Sequence, residues 1–409
     1  MKRLFFSFLL ALLALSAAGC SKTPPDEGPA ASKPVPIPLT KADEGIRDAS
    51  NAFGLDVFTR LYAERGGKDV AFSPLSLSLA LAMAAEGAEG DTWKQFAEVM
   101  GWSAATKDEL GAFYAKMTEG LVKADPEVSF SSNNSLWAAE DLDLKPDYKA
   151  LLERWFAAES YTVDFGKGAT LPQINRWCSE KTDGKIPQML DELDPLTRLM
   201  LINALLYKAP WRDKWELLNN REFRGEKTAS RKDFLHADKN FGYADCGAYE
   251  AVRLPYGNTA YEMVAFLPKE GKTVGDILPA VAKGLDGLSL PERPAEIFLP
   301  KFSTDYFTGD ALAKVLKDKG LTLPFSGLAD FSGISEAESL FISRVLQKVR
   351  VDVTEKGTEF AAVTVIDFRK TTSVSVPPAK VTVDFNRPFV YLIREVSSGA
   401  ILLLGTLSD

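Results

Sequence analysis

Near the C-terminus, residues 355–366 read Glu355-Lys-Gly-Thr-Glu-Phe-Ala-Ala-Val-Thr-Val-Ile366. They open a 30-residue stretch, 355–384, that has no helical period and no closing turn. Loops longer than about 12–15 residues are uncommon and usually have a function. After Gly357 the quoted segment has no proline and is rich in small and β-branched residues, so it can form a strand. A loop with the composition of a strand predicts a segment with two conformations.

The alternative is an ordinary edge strand that continues from residues 340–354, although Gly357 interrupts that continuation. With a period of two, Glu359 marks one face of the segment as solvent-exposed and leaves the other face toward a core. The solvent face consists of Glu359, Ala361, Val363 and Val365, and the core face consists of Thr358, Phe360, Ala362 and Thr364.

The composition excludes several classes of function. The 409 residues are 46% hydrophobic, which is ordinary for a globular protein that buries a sizeable core. Lys and Arg number 48 against 56 Asp and Glu, so the net charge is −8 and a nucleic-acid partner is not expected. The one histidine, His236, has no Ser or Cys motif beside it, and no nucleotide-binding or metallopeptidase motif occurs. We therefore expect no enzyme activity, no cofactor and no metal site.

The N-terminus has the pattern of a secretory signal. Two basic residues precede an apolar run, 4–15, that is shorter than the roughly 20 residues needed to span a bilayer. The following Ala-Ala-Gly-Cys resembles a bacterial lipoprotein signal, which predicts removal of residues 1–19 and lipidation of Cys20. Ser21 after the cysteine resembles the pattern that sorts lipoproteins to the outer membrane. Ordinary secretion with a chance cysteine is the alternative.

Residues 21–44 are rich in Pro, Ala, Lys and Ser, a composition that favours extended polyproline II over a packed core. Together with Cys20 they predict a tether over 20–44 that could hold a folded body roughly 70 Å from the membrane, at about 3.1 Å per residue. The alternative is a disordered tail without a spacing role. No second linker follows, so residues 45–409 are predicted to form a single domain.

Helix and strand patterns are mixed along this body rather than alternating regularly. Ser73-Pro74 opens a helix that is apolar on nearly every face and therefore predicted to be buried. Two further helices are predicted over 46–63 and 91–100, and strands over 127–137, 198–207 and 340–354. Residues 249–267 are predicted to form a hairpin with its turn at 255–258, and 387–396 with 400–407 a final hairpin. The mixture indicates an α+β fold with large antiparallel sheets. Cys178 and Cys246 are predicted to be unpaired, with a single bridge between them as the alternative.

Six segments in order give the chain its resemblance to a known family. They are 72–76 (Phe-Ser-Pro-Leu-Ser), Ile174-Asn175 with 183–186 (Asp-Gly-Lys-Ile), 203–211 (Asn-Ala-Leu-Leu-Tyr-Lys-Ala-Pro-Trp), 299–302 (Leu-Pro-Lys-Phe), the segment 355–362, and 385–389 (Phe-Asn-Arg-Pro-Phe). Over about residues 45–409 the chain resembles a serpin. The resemblance implies eight to nine helices, three antiparallel or mixed sheets, and an exposed reactive-centre loop over about 355–380.

The resemblance also implies a mechanism. Members of the family offer the loop to a serine protease, whose serine attacks it and forms an acyl-enzyme. The cut loop then inserts into the main sheet as a new strand, drags the protease along and distorts its active site before deacylation. One inhibitor is consumed per protease, without a cofactor. The implied partner is an elastase-like or trypsin-like serine protease, and the implied oligomeric state is a monomer.

Site residues follow from the same resemblance. The hinge of the loop consists of Glu355, Gly357, Thr358, Glu359, Phe360, Ala361, Ala362 and Thr364. Lys301 is expected to pair with Glu355 at the top of the sheet, called the breach, where Trp211 covers the entry point. The shutter, which parts to admit the loop, consists of Ser73, Ser76, Asn203 and Gln347, the last in place of the family's usual histidine.

The chain departs from the family pattern in its loop. Phe360 stands where inhibitory members carry a small residue, and a large ring there could slow insertion until deacylation wins. The loop is also a few residues longer than is common. The usual spacing from Gly357 places the cut between Thr371 and Thr372, which suits an elastase-like pocket, whereas Lys370 and Arg369 would suit a trypsin-like one. Inhibition therefore competes with a non-inhibitory role in binding or as a scaffold.

Overall fold

In a computed structural model of the chain, the structure describes residues 32–358 and 379–409. The helices are α1 Lys41–Glu64, α2 Pro74–Glu86, α3 Gly90–Met100, α4 Lys107–Lys123, α5 Pro146–Phe156, α6 Thr170–Lys181, α7 Val274–Gly284 and α8 Ala311–Asp318. The strands are β1 Ala71–Phe72, β2 Ser129–Ala139, β3 Glu159–Val163, β4 Leu199–Pro210, β5 Glu216–Arg224, β6 Ala229–Asp245, β7 Tyr249–Pro255, β8 Tyr261–Pro268, β9 Glu292–Pro300, β10 Phe302–Phe307, β11 Lys348–Thr354, β12 Gly357–Thr358, β13 Val381–Asp384, β14 Phe389–Glu395 and β15 Ile401–Leu407.

The described strands form two hydrogen-bonded sheets. One has six strands in the order β10-β11-β12-β4-β2-β3. The other has nine, in the order β1-β15-β14-β8-β7-β6-β9-β13, with β5 attached to β6. The predicted α+β class is confirmed. The resemblance implied three sheets, but the described strands form two. Two of the expected sheets are joined because the 17-residue strand β6 pairs with β5, β7 and β9 along its length.

Helix α2 is buried between the two sheets, as its apolar surface predicts. It packs against β4 of the six-stranded sheet and β15 of the nine-stranded sheet. The Ser73 hydroxyl caps its first turn by accepting a hydrogen bond from the Ser76 N–H at 3.2 Å, and Pro74 occupies the first helical position. The two sheets thus pack on opposite sides of the same helix.

The strand predicted over 340–354 is too long. Only β11 forms, because its partner β10 ends where Phe307 pairs with Lys348, and no paired strand precedes that point. Upstream backbone groups bond elsewhere: the Ile342 N–H donates to Pro324 C=O at 2.8 Å, and the Gln347 N–H donates to Thr308 Oγ1 at 2.9 Å.

The expected boundary between tether and body at residues 44 and 45 falls inside α1. This helix begins at Lys41, where Thr40 and Asp43 form a capping box. The residues before this helix also pack on the body, since the apolar Ile37 side chain is buried in the core and only 4% exposed. The proline-rich composition predicted the extended backbone but not this burial.

Other features concern the cysteines and the membrane. Cys178 is buried in α6, Cys246 lies between β6 and β7, and both are free thiols. Within residues 32–358 and 379–409, no helix is long and apolar enough to cross a membrane.

Glu86 at the end of α2 generates a prediction about pH. Its side chain is buried, and burial raises the pKa of its carboxyl to about 8, against a smaller opposing effect of Lys107. Among the described residues neither carboxylate oxygen has a hydrogen-bond partner. The folded chain therefore holds a proton that the unfolded chain releases above about pH 4.5, so this group's contribution to stability is lost as the pH rises toward 8.

We expect Glu86→Gln to flatten the decline in the free energy of unfolding between pH 4.5 and pH 8, because the amide stays neutral throughout. Chemical denaturation at the two pH values measures the decline. Glu89→Gln is the matched control, since the Glu89 side chain is 50% exposed. An unchanged decline in Glu86→Gln would show that this carboxyl is not the source.

Candidate functional site

The centre of the six-stranded sheet is occupied at its upper end, where β4 and β11 both finish, by the two-residue strand β12. This strand pairs antiparallel with both neighbours, and Thr358 lies opposite Ala209 on one side and Val353 on the other. In the part of the chain that the structure describes, β4 and β11 are joined through β12 and not paired directly with each other. The first residues of the hinge therefore already form two rungs of a central strand.

Gly357 makes this entry possible. Its φ angle is +150°, a backbone conformation that favours glycine. A Cβ atom at this position would lie 2.1 Å from the Ala209 carbonyl oxygen and 2.8 Å from the Pro210 Cα. Any side chain would therefore push β12 away from β4.

The Thr358 hydroxyl is hydrogen-bonded to an aromatic side chain. The threonine is 3% exposed, and its Oγ1 lies 2.6 Å from the hydroxyl of Tyr256, which is also buried. Tyr256 was missed as a site residue, because residues 255–258 indicated only a hairpin turn between β7 and β8. An aromatic residue inside a Gly-Asn turn was the available signal.

Trp211 covers the same entry point. Its backbone N–H donates to Lys356 C=O at 3.1 Å, and its indole Nε1 donates to Thr354 C=O at 2.8 Å. Its ring stacks on Tyr256 with 4.4 Å between centroids. Trp211 thus binds the bend between β11 and β12 from both its backbone and its side chain.

The expected ion pair of the breach is present. Lys301 Nζ lies 3.3 Å from a carboxylate oxygen of Glu355, with both side chains partly exposed. A backbone hydrogen bond at Glu355 lowers the pKa of its carboxyl, partial burial opposes this, and Lys301 lowers it further. A pair this exposed contributes on the order of 0–1 kcal/mol, so it orients the hinge more than it stabilises the fold.

At the shutter, Gln347 binds the backbone of Ser73 twice. Its Oε1 accepts from the Ser73 N–H at 2.8 Å, and its Nε2 donates to the Ser73 C=O at 3.0 Å. The Ser73 hydroxyl donates to Leu402 C=O at 2.7 Å. The amide thereby connects the start of β11 to the start of α2.

Asn203 lies in the middle of β4 and turns toward β2. Its Nδ2 donates to Ser132 Oγ and to Asn134 Oδ1, each at 2.8 Å. Its Oδ1 is buried, with no hydrogen-bond partner among the residues described. Asn203 therefore makes no side-chain bond to Ser73 or Gln347.

A cavity of about 70 Å³ between β4 and β11 brings the four shutter residues together. Ser73, Ser76, Asn203 and Gln347 all line it. Ile393 and Leu402 of the nine-stranded sheet also contribute, as does Cys178 of α6. The space below β12 is thus mostly apolar, with polar groups contributed by the shutter and by residues such as Thr182, Lys185 and Asp352.

Several predicted site residues lie outside the described residues. These are Glu359, Phe360, Ala361, Ala362 and Thr364 of the hinge, Arg369, Lys370, Thr371 and Thr372 at the predicted cut, and Cys20.

Comparison with known proteins decides the family. The model of the family described as Serpin (serine protease inhibitor) matches residues 48–409. The chain belongs to the serpin family. Leukocyte elastase inhibitor of Bos taurus is 31% identical, over 90% of this chain and 100% of the relative. Iripin-3 of Ixodes ricinus is 32% identical, over 89% of this chain and 94% of its own length.

Solved serpin structures share the fold. The thermophilic serpin tengpin in its native state has a TM-score of 0.79 at 26% identity, with 93% of this chain and 97% of tengpin covered. Thyroxine-binding globulin in complex with thyroxine has a TM-score of 0.78 at 26% identity, with 88% of this chain and 98% of the globulin covered. The predicted family and architecture are confirmed. Because a thyroxine-binding globulin is among these structures of the same fold, family membership alone does not decide inhibition.

Gln347→Ala is expected to lower the free energy of unfolding by roughly 2 kcal/mol, because it leaves the buried N–H and C=O of Ser73 without partners. Chemical denaturation measures the loss. Gln188→Ala is the matched control, since Gln188 is exposed and its side chain bonds only to Asp191 among the residues described. Equal stability of the two variants would contradict a structural role for the Gln347 amide.

Proposed function

We propose that this serpin inhibits a serine protease by acting as a suicide substrate. The observation that carries the proposal is the position of β12, which fills the top of a central strand position between β4 and β11. Cleavage of the loop would free the following residues to continue the strand downward. Each new rung would add backbone hydrogen bonds to both neighbours and bury inward-facing side chains.

The cavity below β12 supports this direction of movement. The strand entering it would pass the four shutter residues, whose polar groups can exchange hydrogen bonds as β4 and β11 separate. The protein would act as a monomer and without a cofactor. The bait bond is proposed at Thr371-Thr372, with an elastase-like target, and Lys370 or Arg369 would instead select a trypsin-like one. One relative of this chain carries the name leukocyte elastase inhibitor.

The test is to mix the soluble chain, residues 21–409, with elastase and separately with trypsin. We expect a covalent complex on a denaturing gel, and a cleaved chain that melts at a higher temperature than the intact one. Thr358→Arg is expected to abolish the complex while leaving the loop cleavable, because a long cation cannot occupy the buried position opposite Ala209 and Val353.

Thr228→Arg is the matched control, since Thr228 is exposed. Complex formation by Thr358→Arg, or an unchanged melting temperature after cleavage of the unmodified chain, would refute strand insertion. Cleavage of the unmodified chain without a complex would favour the non-inhibitory alternative, in which the serpin binds or serves as a scaffold.

The Phe360 side chain is expected to affect the rate of insertion and the stability of the inserted form in opposite directions. If the register of β12 continues, position 360 would lie opposite Tyr207 and Val351, on the same face as Thr358. Both of those residues line the cavity, whose lining is mostly apolar. A phenyl ring must therefore pass between two strands slowly, yet it gains apolar contacts once it has passed.

We expect Phe360→Ala to raise the fraction of serpin that ends in the covalent complex and to lower the melting temperature of the cleaved form. The first effect is read from gel band intensities at fixed protease, and the second from thermal melts after cleavage. Ala361→Gly, on the opposite face, is the comparison variant. A lower fraction of complex in Phe360→Ala would show that the ring does not slow insertion.

We further propose that residues 1–19 are removed and that Cys20 carries lipid, which anchors the protein to the cell envelope, with the outer membrane as its site. The support is the order of basic, apolar and small residues that ends at this cysteine. An anchored serpin would protect the envelope from proteases that reach it.

A further inference from the structure

Residues 32–39, which we call the strap, fix the start of the described chain to the body. The Val35 N–H donates to Ala124 C=O at 3.1 Å, and the Ile37 N–H donates to Ser397 Oγ at 2.8 Å. The Ile37 side chain is buried against Gly120 of α4, where an added Cβ would lie 2.9 Å from it. These contacts tie the strap to α4 and to the turn between β14 and β15.

The strap reaches the body's edge close to the hinge. Asn258 Nδ2 donates to Ser32 Oγ at 3.3 Å. Two residues before Asn258 is Tyr256, which stacks on Trp211 and contacts Thr358. The chain therefore leaves the described body at the same end of the six-stranded sheet where the hinge enters.

The distance from this point to Cys20 is short. Residues 20–31 are 12 in number, which spans at most about 37 Å in polyproline II at 3.1 Å per residue. This is about half the reach expected for a 20–44 tether. If Cys20 is anchored as proposed above, the start of the strap can lie no farther than this from the anchor point.

The surface around the strap has the composition of a lipid-contacting face. Three valines are about half exposed there: Val35 at 50%, Val122 at 51% and Val396 at 48%. They adjoin the strap contacts, since Val122 precedes Ala124 by two residues and Val396 precedes Ser397. Lys33 precedes Val35 by two residues and Lys123 follows Val122; both lysines are exposed, and Lys123 also pairs with Glu119.

Apolar side chains beside lysines suit an anionic bilayer, because the apolar groups enter the interface while the ammonium groups stay among the headgroups. We propose that this strap face, Lys33, Val35, Val122, Lys123 and Val396, rests on the anionic lipid surface that holds the anchor at Cys20. The inference rests on the lipid anchor proposed above. Weak intrinsic affinity is sufficient, because a short tether supplies an effective concentration in the millimolar range.

Among the described residues, three other apolar side chains are more exposed than these valines, namely Leu196, Leu328 at 84% and Phe341, and two of them lie at the other end of the sheet. Leu196 is 82% exposed and precedes β4, whose other end meets the hinge. Phe341, 55% exposed, follows Glu338 by three residues, and Glu338 pairs with Arg198 beside the start of β4. The chain leaves the body far from these residues. Resting on the strap face, the serpin presents its hinge end toward the membrane and would capture proteases working at the lipid surface.

The test is to reconstitute the full lipidated chain into vesicles of phosphatidylcholine, with or without phosphatidylglycerol. A Cys246→Ser background, in which Cys178 remains buried, is labelled with a donor dye at Lys214→Cys near Trp211 or at Leu196→Cys. Energy transfer to an acceptor lipid reports the distance of each end from the bilayer. We expect severalfold more transfer from position 214 than from 196 on anionic vesicles, and a smaller ratio on neutral ones.

The variant Val35→Ser/Val122→Ser/Val396→Ser is expected to reduce this ratio toward one, whereas the control Leu328→Ser/Phe341→Ser leaves it unchanged. Equal transfer from both ends of the unmodified chain, or more from 196, would overturn the proposal. A chain that does not stay on the vesicles would overturn it together with the anchor. Complex formation by the soluble chain, residues 21–409, is assayed in parallel without vesicles, where orientation plays no part, so loss of inhibition and loss of orientation are distinguishable.

Discussion

The structure depends on two backbone rungs. Where Thr358 lies between β4 and β11, the chain has already met the entropic cost of starting a new strand, because both neighbours are aligned and hydrogen-bonded to it. Later rungs would add bonds to an existing ladder. Gly357 permits this arrangement. Trp211 donates to the backbone of Thr354, and the Tyr256 hydroxyl bonds to Thr358 Oγ1. The described part of the hinge thus lies within the sheet, where Thr358 lines the cavity.

The shutter shows why polar groups lie at the centre of a protein whose core is otherwise apolar. An apolar contact between β11 and α2 could slide in any direction, whereas Gln347 accepts from and donates to one residue, Ser73. These two hydrogen bonds fix the lower part of β11 relative to the helix. Asn203 instead fixes β4 to β2. The two strands that flank the slot are therefore held by separate partners and can part without breaking a bond between Gln347 and Asn203.

Much of this arrangement was predictable from sequence, and the exceptions have physical causes. Short motifs such as Ser73-Pro74 encode their structure locally, through a cap and a proline, so α2 was predicted with its burial. The Lys301–Glu355 pair followed from family resemblance. Tyr256 was missed because its role arises from packing against Trp211 and Thr358, residues distant in the chain. Residues 340–347 were predicted to be a strand because their composition allows one, but β10 offers no partner there.

The contacts of the strap also constrain the order of folding. Ile37 is made early by a ribosome that starts at the N-terminus, yet its hydrogen-bond acceptor, Ser397, is 360 residues later and close to the end of the chain. Contacts of such long sequence separation form late, because the intervening loop must first close. The bond to Ser397 therefore cannot form until the final hairpin, β14 and β15, exists, whereas the contacts with Ala124 and Gly120 need only α4. A complete set of strap contacts thus marks a completely synthesised chain, and a truncated product lacking that hairpin would hold its strap only through α4 and Asn258.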